Sequence, residues 1–341
     1  MDYVNHKKAP GLPGNDRDGR ACPGGSGRGR NELQQKATLP KTRALTIVSL
    51  LLAGLTFSGG LSLCEEKISS PRLLLEPSRL HPGQFLVVFL EGVDPDDEAS
   101  FQTNLPQTTL KAYPYRQGLI SLIGVDCRTP PGEYTISVRV RQKDLGLWQQ
   151  KLKFVLEPKT FTTQHLEVSP KKLEVRSREK WQQDLSFILE ARSKSCDLPL
   201  WEGGFLAPLK GRKTADFGLI RYINGKEAGR HSGVDIAAPN GTLVVAANSG
   251  IVCLARFLNV TGYTAIVDHG LNLFTSYCHL ENLLVNEGQE VLKGQEIGQV
   301  GSTGFATGSH LHWGAIIGSI FVDPYLLVEK DPLDIFDRET G

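Results

Sequence analysis

The chain has 341 residues, 40% of them hydrophobic and 22% charged, which is enough apolar material for two ordinary buried cores and excludes a wholly disordered protein. Its 38 Lys and Arg nearly cancel its 37 Asp and Glu for a net charge of +1, so it lacks the global basic field of nucleic-acid binders and no nucleic-acid partner is expected. Of eight His, five (His231, His269, His279, His310 and His312) lie in the last third, an asymmetry of the kind that chemistry leaves in a chain.

Residues 1–43 are rich in Gly, Pro, Asn and basic side chains, with almost nothing apolar to bury, and read as a disordered basic leader. Residues 44–64 begin with the apolar run ALTIVSLLLAGLTFSGGLSL, preceded by Lys41 and Arg43 and followed by a polar stretch. That order is the one found in a secretory signal peptide, and the length also suits a membrane anchor. The string Leu61-Ser62-Leu63-Cys64 is close to a bacterial lipobox, although Leu63 stands where that pattern wants a small residue. Any membrane contact is expected through this segment alone.

From 70 to 158 the pattern has a period of two, as in Tyr134-Thr135-Ile136-Ser137-Val138-Arg139-Val140-Arg141, and turn signals recur at Pro82-Gly83, Pro130-Pro131-Gly132 and Gly146. This predicts an immunoglobulin-like antiparallel β-sandwich, and because it contains no cluster of reactive side chains it reads as a spacer or binding module. Residues 160–202 form a connector in which Trp181, Leu185 and Ile188 mark an amphipathic helix over Ser177–Ser193. From 203 to 330 the chain becomes Gly-rich and β-patterned again, and 331–341 is a C-terminal tail.

Three short strings in this last domain concentrate the chemistry: His231-Ser232-Gly233-Val234-Asp235, Tyr277-Cys278-His279-Leu280 and His310-Leu311-His312-Trp313. A divalent metal that activates water needs three protein ligands of N or O type and one open position. His231, Asp235 and one His of the last string supply such a set. In a strand, residues i and i+2 share a face, so His310 and His312 both look into one cleft while Leu311 packs behind. Gly233, Val234 and Ile236 favour an extended segment over a helix around Asp235. His269, in Val267-Asp268-His269-Gly270, is expected to be a turn residue without a ligand role.

On these strings, and on RHSGVDIAAPNGTLVVAANSGIV, TAIVDHG, NEGQEVLKGQEIGQVGSTGFATGSHLHWGAI and VDPYLL, the region from about Phe205 to Leu327 resembles the lysostaphin and LytM type of zinc metalloendopeptidase. Together with the N-terminal sandwich and short helical connector read above, the resemblance implies an all-β protein whose C-terminal part is an antiparallel β metallopeptidase domain with a groove. It implies one Zn2+ held by His231, Asp235 and His312, with His279 and His310 as the non-ligand catalytic pair. The implied substrates are stem or cross-bridge peptides of peptidoglycan, and the implied location is the envelope or exterior of a bacterium. Cys278, Ser309 and Trp313 stand where the family usually has Ala, Pro and Phe, and none of the three changes removes a functional group. A rival class, a catalytically silent wall-binding protein or activator of a partner hydrolase, is disfavoured because all five residues are present.

Other signals carry less. No H-E-x-x-H supplies a helical Glu as base, and no G-x-S-x-G elbow occurs. Gly298–Gly304 lacks the Lys and the order of a phosphate loop. VNEGQEVLKGQEIG resembles a lipoyl-carrier hairpin, but Lys293 lacks the flanking residues of a modified lysine. Six Cys show no C-x-x-C, and strand alternation predicts that the Cys278 thiol points to the face opposite His279. Export would permit a disulfide between Cys127 and Cys196.

Overall fold

The computed structural model describes residues 70–94, 97–142 and 146–334, all within one compact unit. The basic leader, the signal or anchor segment and most of the C-terminal tail lie outside the described residues, among which no helix is long and apolar enough to cross a membrane.

The first half is a β-sandwich. One sheet runs in the order β1 (Arg72–Glu76), β3 (Phe85–Glu91), β6 (Gly118–Gly124), β5 (Tyr113–Tyr115). The facing sheet runs β2 (Arg79–Leu80), β8 (Gly146–Leu156), β7 (Gly132–Gln142), β4 (Glu98–Thr103), antiparallel except where β2 meets β8. The alternation read from the sequence places Ile136, Val138 and Val140 of β7 on the inner face, where they meet Leu86, Val88 and Leu90 of β3. The strings FLVVFLE and GLISLIG are apolar at nearly every position because β3 and β6 are buried on both faces. Val87, Phe89, Ile120 and Leu122 point outward and share a core with Phe217, Ile320 and Val322 of the second half.

The connector is more than a helix. β9 (Thr163–Leu166) pairs in parallel with β11 (Ile220–Ile223), which forms a hairpin with β12 (Lys226–Arg230). α1 (Pro170–Glu174) is followed by α2 (Arg178–Ala191), where Ser177 caps the helix by accepting a hydrogen bond from Lys180 N at 3.3 Å. The apolar stripe expected along α2 is only partly buried. Phe187, Ile188 and Ala191 pack on the second domain, Trp181 and Leu185 are half-exposed, and the one fully buried residue of the helix is Asp184.

The second half is built on a ten-stranded antiparallel sheet. Its main path is β10 (Arg212–Ala215), β13 (Val234–Ala237), β20 (His310–Ile317), β17 (Leu273–Leu283), β16 (Gly262–Asp268), β15 (Gly250–Leu258), β18 (Glu290–Val291). β14 (Leu243–Val245), β19 (Glu296–Val300) and β21 (Ile320–Val322) branch from it, and α3 (Tyr325–Glu329) closes the chain. The two faces of the sheet have different duties. Odd-numbered residues of β17 and β20, such as Leu273, Tyr277, Leu311, Trp313 and Ala315, fill the main core. Even-numbered Phe274 and Ile316, with Leu254, Leu258 and Ile266, lie under α2. Further along that second face the strands are uncovered by α2, and there Cys278 and His312 sit opposite one another.

His269 lies in the turn before β17, as expected, and is fully buried there, with Nδ1 donating to Ser249 O at 2.8 Å and Nε2 lying 2.7 Å from Thr275 Oγ1. Thr275 Oγ1 is 2.9 Å from Tyr277 Oη, which accepts from Ala247 N at 2.8 Å, so the network is satisfied at every member. Burial pushes the His269 imidazole down to about 4 from an unfolded value of 6.5. The folded state therefore holds it neutral, and its contribution is complete above pH 6.5 and lost as pH falls towards 4, amounting to about 3 kcal/mol. Urea midpoints measured from pH 7 to 4 should fall less steeply in His269→Asn than in the wild type; identical slopes would contradict this assignment.

Candidate metal centre

The register of two neighbouring strands builds the centre. β13 and β20 pair with Asp235 opposite His312 and Ala237 opposite His310, so Asp235, His312 and His310 project from one face. His231 precedes β13 and is held by His231 N donating to Leu219 O at 2.9 Å. Gly233 is needed between them because a Cβ there would collide with the Trp313 carbonyl and press on His312 Nε2 at 3.0 Å.

Three potential ligand atoms converge. His231 Nε2 lies 2.9 Å from Asp235 Oδ1 and 2.9 Å from His312 Nδ1, and His312 Nδ1 lies 2.8 Å from Asp235 Oδ1. The other ring nitrogens have partners of their own. His231 Nδ1 is 2.8 Å from Asp216 O and so carries its proton there, and His312 Nε2 faces Ser232 Oγ, which can donate or accept, at 3.4 Å. Two imidazole nitrogens and a carboxylate oxygen thus converge on one spot, an arrangement that needs a proton or a cation at the point of convergence. This donor set fits a divalent metal of the borderline class, with partners on the far ring nitrogens of the kind that orient metal-binding His. Burial would raise the Asp235 carboxyl, but hydrogen bonding and charge from the His231 and His312 imidazoles hold it far below the ordinary carboxylate range. Arg221 of β11 adds charge on the opposite oxygen, Nη2 to Oδ2 at 3.5 Å.

His279 and His310 stand beside the convergent atoms. Their rings are 4.9 Å apart between centroids, and His310 Nε2 is 3.7 Å from Asp235 Oδ1. His310 Nδ1 donates to Gly308 O at 2.8 Å and His279 Nδ1 to Thr303 O at 2.9 Å, which leaves both Nε2 atoms free towards the centre. Burial first, then the neighbouring His310 and His312, push the His279 imidazole down to about 3, so it is neutral at ordinary pH.

The local backbone overturns the alternation expected around Cys278. Tyr277 pairs with Ala265 and Leu280 with Tyr263, so Cys278 and His279 together oppose Thr264 alone. This is a β-bulge, and His279 takes it up with φ of 62°. Cys278 and His279 therefore lie on the same face, with Cys278 opposite His312 in the ladder. The thiol is nonetheless inert as a nucleophile, since burial pushes it up to about 12. Cys127 and Cys196 are both free thiols, so the disulfide that export would permit is not formed.

Sequence reasoning singled out all five residues now found together. It missed Arg221, Thr303, Asp216 and Gly308, three of which act through main-chain carbonyls and so leave no side-chain signal.

An antiparallel β-domain with a His-Asp-His centre on one face of its sheet is the architecture of a metallopeptidase class. Residues 229–324 match the model of peptidase family M23. Over 92 residues it is 40% identical to peptidoglycan DD-endopeptidase ShyA of Vibrio cholerae, which is 27% of this chain and 21% of that protein. Over 94 residues it is 37% identical to ShyC of the same organism, 28% of this chain and 22% of the relative. The alignments thus span about a fifth of the length of these relatives. Among solved structures, the catalytic domain of the antimicrobial peptidase lysostaphin from Staphylococcus simulans is 31% identical, covering 35% of this chain and 92% of that one, with a TM-score of 0.32.

Treatment of the native protein with iodoacetamide at pH 8 should leave Cys278 unmodified by mass spectrometry, with full labelling after unfolding. Rapid native labelling of Cys278 would contradict the inert, buried thiol.

Proposed function

We propose that this protein is a zinc-dependent endopeptidase that hydrolyses peptide bonds in the stem or cross-bridge peptides of bacterial peptidoglycan, acting in the cell envelope or outside the cell. The observation that carries the reading is the convergence of His231 Nε2, Asp235 Oδ1 and His312 Nδ1 beside two further imidazoles whose Nε2 atoms are free. The identity to ShyA and ShyC, both described as peptidoglycan DD-endopeptidases, supports the substrate class.

One zinc ion at the three ligands supplies Lewis-acid polarisation of the scissile carbonyl and acidifies water at neutral pH. The chain supplies the proton traffic. Thr303 O and Gly308 O fix the tautomers of His279 and His310, so that each presents an unprotonated Nε2 able to take a proton from water and return it to the leaving amine. The pair also flanks the position where negative charge develops on the carbonyl oxygen, and a protonated imidazole there stabilises it. Arg221 and the ring nitrogens bonded to Asp216 and Ser232 hold the ligands still, which keeps reorganisation during the reaction small.

Digestion of purified peptidoglycan should release new amine termini that disappear when a chelator is added and return with zinc. No new termini in either condition would favour the silent wall-binding rival. His279→Ala and His310→Ala should each retain zinc and lose about 10²-fold or more in turnover. His231→Ala, Asp235→Ala and His312→Ala should instead lower zinc occupancy by metal analysis. Full activity in both non-ligand variants would overturn the assigned roles.

A further inference from the structure

α2 lies outside the family-matched segment, yet its one fully buried residue is a carboxylate. Asp184 Oδ1 accepts from Asn259 N and from Asn259 Nδ2, both at 2.9 Å, and Oδ2 accepts from Val260 N at 2.7 Å. A carboxylate removed from water is costly unless such charge-assisted bonds replace its hydration, and here three N–H groups do so, two of them consecutive main-chain amides. The helix could dock on the sheet through Phe187, Ile188 and Ala191 alone. The buried acid adds something different: it pins the turn between β15 and β16.

That turn holds both anchors of His279. Thr261 O accepts the His279 main-chain N–H at 2.8 Å, which closes the bulge that turns the imidazole towards the centre. Val260 O accepts from Phe305 N at 2.8 Å, and Tyr263 N donates to Thr303 Oγ1 at 3.0 Å, so the turn also fixes the loop that carries Thr303. A Cβ at Gly262 would collide with Thr303, showing how closely turn and loop approach. Thr303 O, in turn, is the acceptor for His279 Nδ1. The main-chain position of His279 therefore ends on a segment whose amides are gripped by one helix-borne carboxylate, and its tautomer on a loop bonded both to that segment and, through Thr303 Oγ1, to Leu280 O at 2.6 Å.

We propose that Asp184 is a positioning residue for His279, which makes the connector helix a working part of the groove. The inference rests on the peptidase reading for its effect on turnover, but its structural content is testable without it.

The test compares full-length wild type, Asp184→Asn and Phe187→Ala. Phe187→Ala weakens helix docking without touching the turn. Histidine-selective 15N NMR, with the His279 signal identified by its loss in His279→Ala, reads the ring tautomer. Turnover on soluble wall peptides reads kcat and KM. In Asp184→Asn the His279 Nδ1–H tautomer is expected to give way to a mixture, and kcat to fall tenfold or more, with KM within twofold and zinc content unchanged. Phe187→Ala should lower Tm while keeping the wild-type tautomer and kcat. Should Asp184→Asn fail to fold, Asn259→Ala, which removes one of the three donors, should move tautomer and kcat in the same direction by less. A wild-type tautomer and kcat in Asp184→Asn, or equal losses in Phe187→Ala, would overturn the proposal. An inactive wild type would count against the peptidase reading alone, since the NMR comparison still decides the positioning role.

Discussion

Three lone-pair donors aimed at a single point are mutually repulsive, and much of the second half of the fold serves to hold them there. Asp235 and His312 are brought together by the ladder between β13 and β20, and His231 by the glycine-dependent approach of the segment before β13. The His231 proton is committed elsewhere, on the far side of its ring towards Asp216 O, while His312 Nε2 faces Ser232 Oγ. Arg221 compensates the other carboxylate oxygen. A centre arranged this way is pre-organised for a cation, because the energetic cost of convergence is met by strand pairing and packing before any ion arrives.

The two faces of the large sheet divide the labour between core and site. One face is wholly committed to the main core, which extends to the outer faces of β3 and β6. The other face is only partly covered, by α2 over Phe274 and Ile316, and the uncovered remainder carries His310 and His312. Gly314 lies between the two regions and has no room for a side chain because Ser276 Oγ would lie 2.7 Å from its Cβ. The connector thus shapes the site by where it stops.

The bulge at His279 is the place where local preference yields to function. A histidine at φ of 62° costs on the order of 1–3 kcal/mol, and such a conformation persists only where its surroundings determine it. Here the surroundings are hydrogen bonds from both the main chain and the ring, to Thr261 O and Thr303 O. The extra residue puts His279 on the same face as Cys278, which a regular strand would forbid.

The sequence by itself determined the elements whose signal is local. The period-two runs of β7 and β8, the helix after Ser177, and the H-x-x-x-D and H-x-H spacings all follow from side-chain direction along a short stretch of chain. Leu311 in the core between His310 and His312 on the groove is the same rule at work. Tertiary structure decided what depends on partners distant in sequence. Nothing near Asp184 distinguishes it from a solvated helix residue, because its three donors lie about 75 residues away. The turn at His269 was legible, but its complete burial is imposed by strands packed around it and left no local signal. Cys278 was placed on the wrong face because a bulge is set by the pairing of two strands, and a single strand's alternation contains no record of it. Residue type and spacing name the groups that can do chemistry, while register, burial and main-chain carbonyls decide which way those groups point and in what protonation state.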